Sequence, residues 1–187
     1  SDAEGQFRRA MKDDDASVQW RSRYTTSSLS SYIAEEARCA DLLITGIEEG
    51  EWLDSARHVS IGDLVMRTGR PVLIVPQEAP VAPFNRVVLA WKDTREARRA
   101  VVDALPLLTL AKKVTIVEIA DENERTDVVE RLGDVAAWLA LHGVTADVRA
   151  VPSYRDDASC LEAILSELEA DLVVAGAFGH SRMREWV

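Results

Sequence analysis

The segment Ala40-Asp-Leu-Leu-Ile-Thr-Gly46 returns 130 residues later as Ala170-Asp-Leu-Val-Val-Ala-Gly176. At the same offset, and without a gap, Ala16 falls on Ala146, Val18 on Val148 and Tyr24 on Tyr154. The helical period over Ser28–Arg38 falls on the one around Leu161–Glu169, and the amphipathic start around Phe7 and Met11 falls on Ala137 and Leu141. Self-similarity at a fixed spacing means one supersecondary unit written twice. Any fold proposed for one copy must therefore serve for the other.

The second copy shows what the unit is. Arg86-Val-Val-Leu-Ala-Trp91 is an apolar run of strand length, and Thr94–Leu110 puts Ala97, Ala100, Val101, Ala104, Leu105 and Leu108 at three-and-four spacing. Pro106 is expected to kink or shorten the last turn of that helix. Lys113–Ile119 reads as a second strand, and Val128, Val129, Leu132, Val135, Ala136 and Leu139 mark a second helix closed by His142-Gly143. A third strand over Val144–Val151, a third helix through Leu161, Ile164, Leu165 and Leu168, and a fourth strand over Asp171–Ala175 complete the series. Strands alternating with helices predict a parallel sheet.

In the first copy the repeat predicts a strand from about Ala16, with Asp13-Asp14-Asp15 in the turn before it as a solvated charge cluster. A helix over Gly62–Thr68 and a further strand over Pro71–Val75 follow Gly46. The prolines at 76, 80 and 83 mark a linker. The expected organisation is thus residues 1–76, a linker at 77–85, and residues 86–187. The counterpart of Arg86 falls about 44 residues ahead of Ser1, and that of Pro76 lies beyond Val187. The first copy is therefore expected to lack its first strand, helix and second strand, and the second copy its C-terminal end.

Composition narrows the partners. Hydrophobic residues at 47% supply a core, and a net charge of −10 disfavours a broad footprint on nucleic acid or an anionic membrane. No apolar run reaches the roughly 20 residues of a membrane span, and the polar start at Ser1–Arg9 is unlike a signal peptide, so the default expectation is cytoplasmic. Cys39 and Cys160 are expected to be buried, reduced thiols, since neither belongs to a CxxC or Cys/His cluster.

Ligands of open parallel sheets bind at the carboxyl ends of strands, where the strand order reverses and helix N-termini present free N–H groups. Two such places stand out. Trp91-Lys92-Asp93-Thr94 leaves the first strand of the second copy, and Asp93 with Glu96 also reads as a capping box that needs no ligand. Gly176-Ala-Phe-Gly179-His180-Ser181 leaves the fourth strand, where glycines admit either a phosphate or a tight turn. In the first copy, Glu48, Glu49 and Glu51 crowd the equivalent Gly46-Ile-Glu-Glu-Gly50 loop and oppose a phosphate. There is no HExxH, P-loop or nucleophile-elbow motif, and His58, His142 and His180 are far apart in sequence. No residue set forms a catalytic constellation.

Val88-Leu-Ala-Trp-Lys-Asp-Thr-Arg-Glu-Ala97, Ala104-Leu-Pro-Leu-Leu108, Ala170–Gly176 and Gly179-His-Ser-Arg-Met-Arg-Glu-Trp-Val187, with Gly62–Pro76 in the first copy, resemble the universal stress protein family in its bacterial tandem form. The resemblance implies an α/β fold, a doubly wound, mostly parallel, Rossmann-like sheet of five strands in each unit. It also implies that Pro71–Val75 is an edge strand pairing across to the other unit. Nucleotide-binding members resemble the pattern Gly-x-x-Gly, nine residues, Gly-Ser/Thr, with an Asp ending the first strand. Gly176 and Gly179 match the first half of that pattern, and Lys92 replaces the Asp. In the first copy the glycine spacing departs from the pattern and Asp63 stands where Ser or Thr would bind phosphate.

The resemblance thus implies a non-catalytic stress-response protein in which Lys92, Asp93, Thr94, Gly176, Gly179, His180 and Ser181 would face ATP, AMP or another anionic ligand. The rival reading is an interaction or dimerisation module, a homodimer or a binder of protein clients, whose nucleotide sites have decayed. A nucleotide hydrolase ranks last, because no general base or metal cluster is visible.

Overall fold

The computed structural model describes residues 2–12, 17–26, 28–46, 59–79, 83–154 and 156–177. Glu48, Glu49, Gly50, Glu51, His58, Gly179, His180, Ser181 and the Asp13–Asp15 run lie outside them. In chain order the elements are α1 (Asp2–Ala10), α2 (Leu29–Glu36) ending in a 3-10 turn (Ala37–Cys39), β1 (Leu43–Gly46), α3 (Ile61–Thr68) and β2 (Val72–Val75). These are followed by β3 (Arg86–Ala90), α4 (Arg95–Leu108), β4 (Lys113–Ala120), α5 (Arg125–Leu141), β5 (Ala146–Pro152), α6 (Asp157–Glu167) and β6 (Leu172–Ala175). Among the described residues no helix is long and apolar enough to cross a membrane.

All strand pairs are parallel. β3 to β6 form one sheet in the order β5-β4-β3-β6, and β1 and β2 form a separate two-stranded sheet. The chain moves from β3 out to β5, then returns to the far side of β3. Right-handed crossovers in opposite directions place their helices on opposite faces. Accordingly α4 and α5 cover one face, where Val87, Leu89 and Trp91 meet Val101, Leu108, Val128 and Leu132. α6 covers the other, where Ile164 meets Val88, Val117 and Val151. Burial on both sides is why β3 reads as a continuous apolar run rather than an alternating one.

Local signals set most of the boundaries. Ser28, Ser60, Thr94 and Asp156 each accept an N-cap hydrogen bond, at the starts of α2, α3, α4 and α6. α5 ends at Gly143 with φ of 78°, its N–H donating to the Ala140 carbonyl at 3.0 Å, as His142-Gly143 predicts. α4 runs through Pro106 but stops two residues later, at Leu108. Pro106 carries no N–H for the carbonyl four residues back, a loss tolerated at a helix end.

The sheets hold four and two strands among the described residues, and two expectations are corrected. Residues 17–26 form no strand. Their counterpart β5 pairs with β4 alone, and among the described residues no strand lies beside residues 17–26 to play that part. A strand with no neighbour has nothing to receive its backbone groups. Finally, Cys160 is buried as expected, but Cys39 is exposed; both are free thiols.

Candidate ligand site at the strand switch

The strand order reverses between β3 and β6, so their carboxyl ends, Trp91–Thr94 and Gly176–Ala177, lie side by side at the place where open parallel sheets bind ligands. Two segments 80 residues apart in sequence, as 176 minus 96 gives, are thereby brought together. An added Cβ on Gly176 would lie 2.6 Å from the Ala97 nitrogen and 2.7 Å from the Glu96 carbonyl carbon. Gly176 is therefore required by close approach of β6 to the first turn of α4. Its φ is not in the left-handed region, which holds only Gly69 and Gly143 among the described glycines.

That first turn is already occupied by its own side chains. The cap is Thr94, not Asp93: the Ala97 N–H donates to Thr94 Oγ1 at 3.3 Å, which corrects the capping box read from Asp93 and Glu96. Asp93 instead accepts from Arg98 Nη2 at 2.5 Å. Glu96 accepts from Arg95 Nε at 2.5 Å. That bond, followed by one from its own backbone N–H, holds its carboxyl below the ordinary range. An ionised carboxylate at a helix N-terminus takes the favourable place an anionic ligand would use. Lys92 is half-buried, and no hydrogen bond or ion pair among the described residues involves its ammonium.

One residue that sequence reasoning passed over stands on β4, the neighbour of β3. Glu118 on β4 is only 2% exposed and is gripped by Arg131 of α5 through two bonds of 2.9 and 2.6 Å. A buried carboxylate demands such a partner. The Glu118 hydrogen bond, then the charges of Glu118, Glu124 and Asp93, raise the Arg131 pKa above its ordinary value. The signal was a lone glutamate inside the apolar run Val114–Ile119. Trp91, 8% exposed, continues the ladder by donating its backbone N–H to the Val117 carbonyl at 2.8 Å, while its indole N–H meets no acceptor among the described residues.

In the two-stranded sheet, Asp63 is a first-turn residue of α3. Its N–H donates to Ser60 Oγ at 3.3 Å, and its carboxylate accepts from Arg67 Nε at 2.7 Å. Its sequence position is thus explained by helix capping and an i,i+4 pair.

No protein-family model matches the sequence, and no curated protein is a significant match. Solved structures do match. A universal stress protein from Archaeoglobus fulgidus superposes with a TM-score of 0.72 over 92% of this chain and 62% of that one, at 13% identity. A universal stress protein family member from Burkholderia pseudomallei shares 24% identity over 52% of this chain and 84% of that one, with a TM-score of 0.47. A Mycobacterium tuberculosis protein shares 22% over 56% of this chain and 79% of that one, with a TM-score of 0.45. The Archaeoglobus likeness carries the fold conclusion: the chain has a Rossmann-like, mostly parallel α/β architecture of the kind found in a universal stress protein.

Proposed function

We propose that the protein is a non-catalytic, universal stress protein-like stress-response module that works through polypeptide contacts rather than through a bound nucleotide. The observation carrying this reading is the self-occupied first turn of α4. Thr94 Oγ1 takes the Ala97 N–H, the Glu96 carboxylate lies at the helix start, and Gly176 closes against the same turn. Of the N–H groups of that turn, Ala97's goes to Thr94 Oγ1 and Glu96's to its own carboxylate, which leaves fewer donors for a phosphate. On this reading the edge of β2 away from β1 suits pairing with a second unit, in the same chain or in a homodimer.

A thermal-shift titration with ATP, ADP and AMP tests the proposal. The expected result is no stabilisation at millimolar nucleotide. A concentration-dependent rise, which follows whenever a ligand binds only the folded state, overturns it. One observation favours the rival anion-binding reading: the Lys92 ammonium has no partner among the described residues. A nucleotide-induced shift that disappears in Lys92→Glu would establish that reading.

A further inference from the structure

Between the ends of α2 and α3 lies an open cleft of about 500 Å³. Ala34, Glu35 and Arg38 line it from α2 and its 3-10 turn, and Arg67, Gly69 and Arg70 from the end of α3. Gly69, in the left-handed region at φ of 57°, ends α3, and the Arg70 guanidinium beyond it donates through Nη2 to the Arg38 carbonyl at 2.7 Å. Two turns 32 residues apart are joined there, and both carry arginines.

A second helix shows that this position in the fold does not require such residues. α2 and α6 each precede one of the two Ala-Asp-Leu strands, and at the offset of 130 Ala34, Glu35 and Arg38 correspond to Ile164, Leu165 and Leu168. On α6, Ile164 is buried, and Leu165 and Leu168 pack against the same core cluster. α2 thus has one small and two charged side chains where α6 has three large apolar ones. The space beside them stands open as a cleft.

The cleft is also cationic, in a chain of net charge −10. Most arginines of the described residues form an ion pair with a carboxylate. Arg38 and Arg70 have no such partner among the described residues, and Arg67 commits only Nε to Asp63, at 2.7 Å. Helix C-termini favour a nearby cation, which accounts for an arginine at each helix end. It does not account for three converging on one cleft, since like charges repel.

We infer that this cleft binds an acidic polypeptide segment, with Arg38 and Arg70 gripping separate carboxylates, an inference that rests on the interaction role proposed above. A guanidinium presents its N–H groups as a planar fork that matches a carboxylate. Glu35 in the same lining opposes a compact dianion such as phosphate, whereas an extended segment can set its carboxylates at the arginines and a neutral residue beside Glu35. The net charge of −10 opposes a long polyphosphate chain.

The test uses the 187-residue protein and a fluorescein-labelled tetraglutamate peptide, with binding read by anisotropy at low salt. Saturable binding is expected, weakened about tenfold or more by Arg38→Glu and by Arg38→Leu. The leucine variant installs the residue that α6 carries at this position, and circular dichroism confirms that both variants remain folded. Arg125→Glu, which makes the same change of charge on α5, should bind as the parent does. Absence of saturable binding, binding indifferent to Arg38, or equal weakening by Arg125→Glu each overturns the inference. Displacement of the peptide by inorganic phosphate at a lower concentration than by unlabelled tetraglutamate overturns it as well, by assigning the cleft to a phosphate ion. A nucleotide-induced thermal shift that persists in Arg38→Leu would overturn the proposed function instead, since that shift reads the carboxyl ends of β3 and β6.

Discussion

The β1-β2 sheet and the β3-β6 sheet contain nearly the same strand, and among the described residues only the second has a core on both faces. Around β6, residues from β3 and α4 bury the α4-side face and leave Val173 exposed on the other. Around β1, the buried residues are Ala37, Ile61 and Leu64 with Ser30, all from α2, α3 and the 3-10 turn, and the opposite face shows Leu42 and Ile44. A strand motif therefore specifies extended backbone and parallel pairing, but burial comes from whichever helices the chain supplies. The difference is one of layers: a doubly wound sheet needs cover on both faces.

Paired substitutions can break this comparison. The largest gap is expected between Leu132→Ala, which opens a cavity in a fully buried site and should cost about 2–5 kcal/mol, and Ile44→Ala on bare β1, expected within about 0.5 kcal/mol. Chemical denaturation measures both, and equal costs would mean that β1 is covered. Next, Gly176→Ala forces backbone apart at the first turn of α4 and should cost about 1–3 kcal/mol. Gly46→Ala, with space around it, should be neutral to slightly stabilising through the unfolded chain.

Asp171→Ala should follow at about 1–3 kcal/mol, because two backbone N–H groups lose a charged acceptor; for Asp41→Ala a change within about 0.5 kcal/mol is expected. Hydrogen exchange at Asn85 and Arg86, accelerated in the Asp171 variant, would locate the effect. The smallest effect is in acid. Hydrogen bonds from Arg149 to Glu167 and from Arg95 to Glu96 hold both carboxyls below their ordinary 4.5. Folded values below unfolded ones mean the contribution is present above pH 4.5 and lost as pH falls through the folded values. Both groups are exposed, so the loss should be slight and reduced by salt. Arg149→Gln should make the acid limb of a pH–stability profile slightly shallower, and an unchanged limb would mean that the Arg149–Glu167 pair contributes nothing.

Much of the fold was legible in the sequence. The offset of 130 residues and the 3.6-residue spacing located β1, β6, α4, α5 and α6, because a side chain's repeat distance is fixed by local backbone geometry. The Gly143 cap followed for the same reason. The cap of α4 was misplaced by one residue, because Asp93 and Thr94 are both competent acceptors and only the turn at Lys92, where the Thr94 N–H reaches the Lys92 carbonyl at 2.7 Å, chooses between them. Lys92–Thr94 and Gly176 stand at neighbouring strand ends, as the alternation of strands and helices implies, but the space beside the glycine that read as room for a phosphate is filled by Glu96 and Ala97.

By itself the sequence determined that the Ala-Asp-Leu strand motif occurs twice, 130 residues apart, and that strands and helices alternate through the second half of the chain. Only the tertiary structure decided that Asp171 clamps the head of β3, that Glu118 is buried with Arg131, and that among the described residues Asp41, Leu42, Ile44 and Gly46 lack the cover their counterparts have. The physical reason is that periodicity is a property of neighbours along the chain, whereas burial and hydrogen-bond satisfaction depend on segments up to 86 residues apart, as Asn85 and Asp171 are.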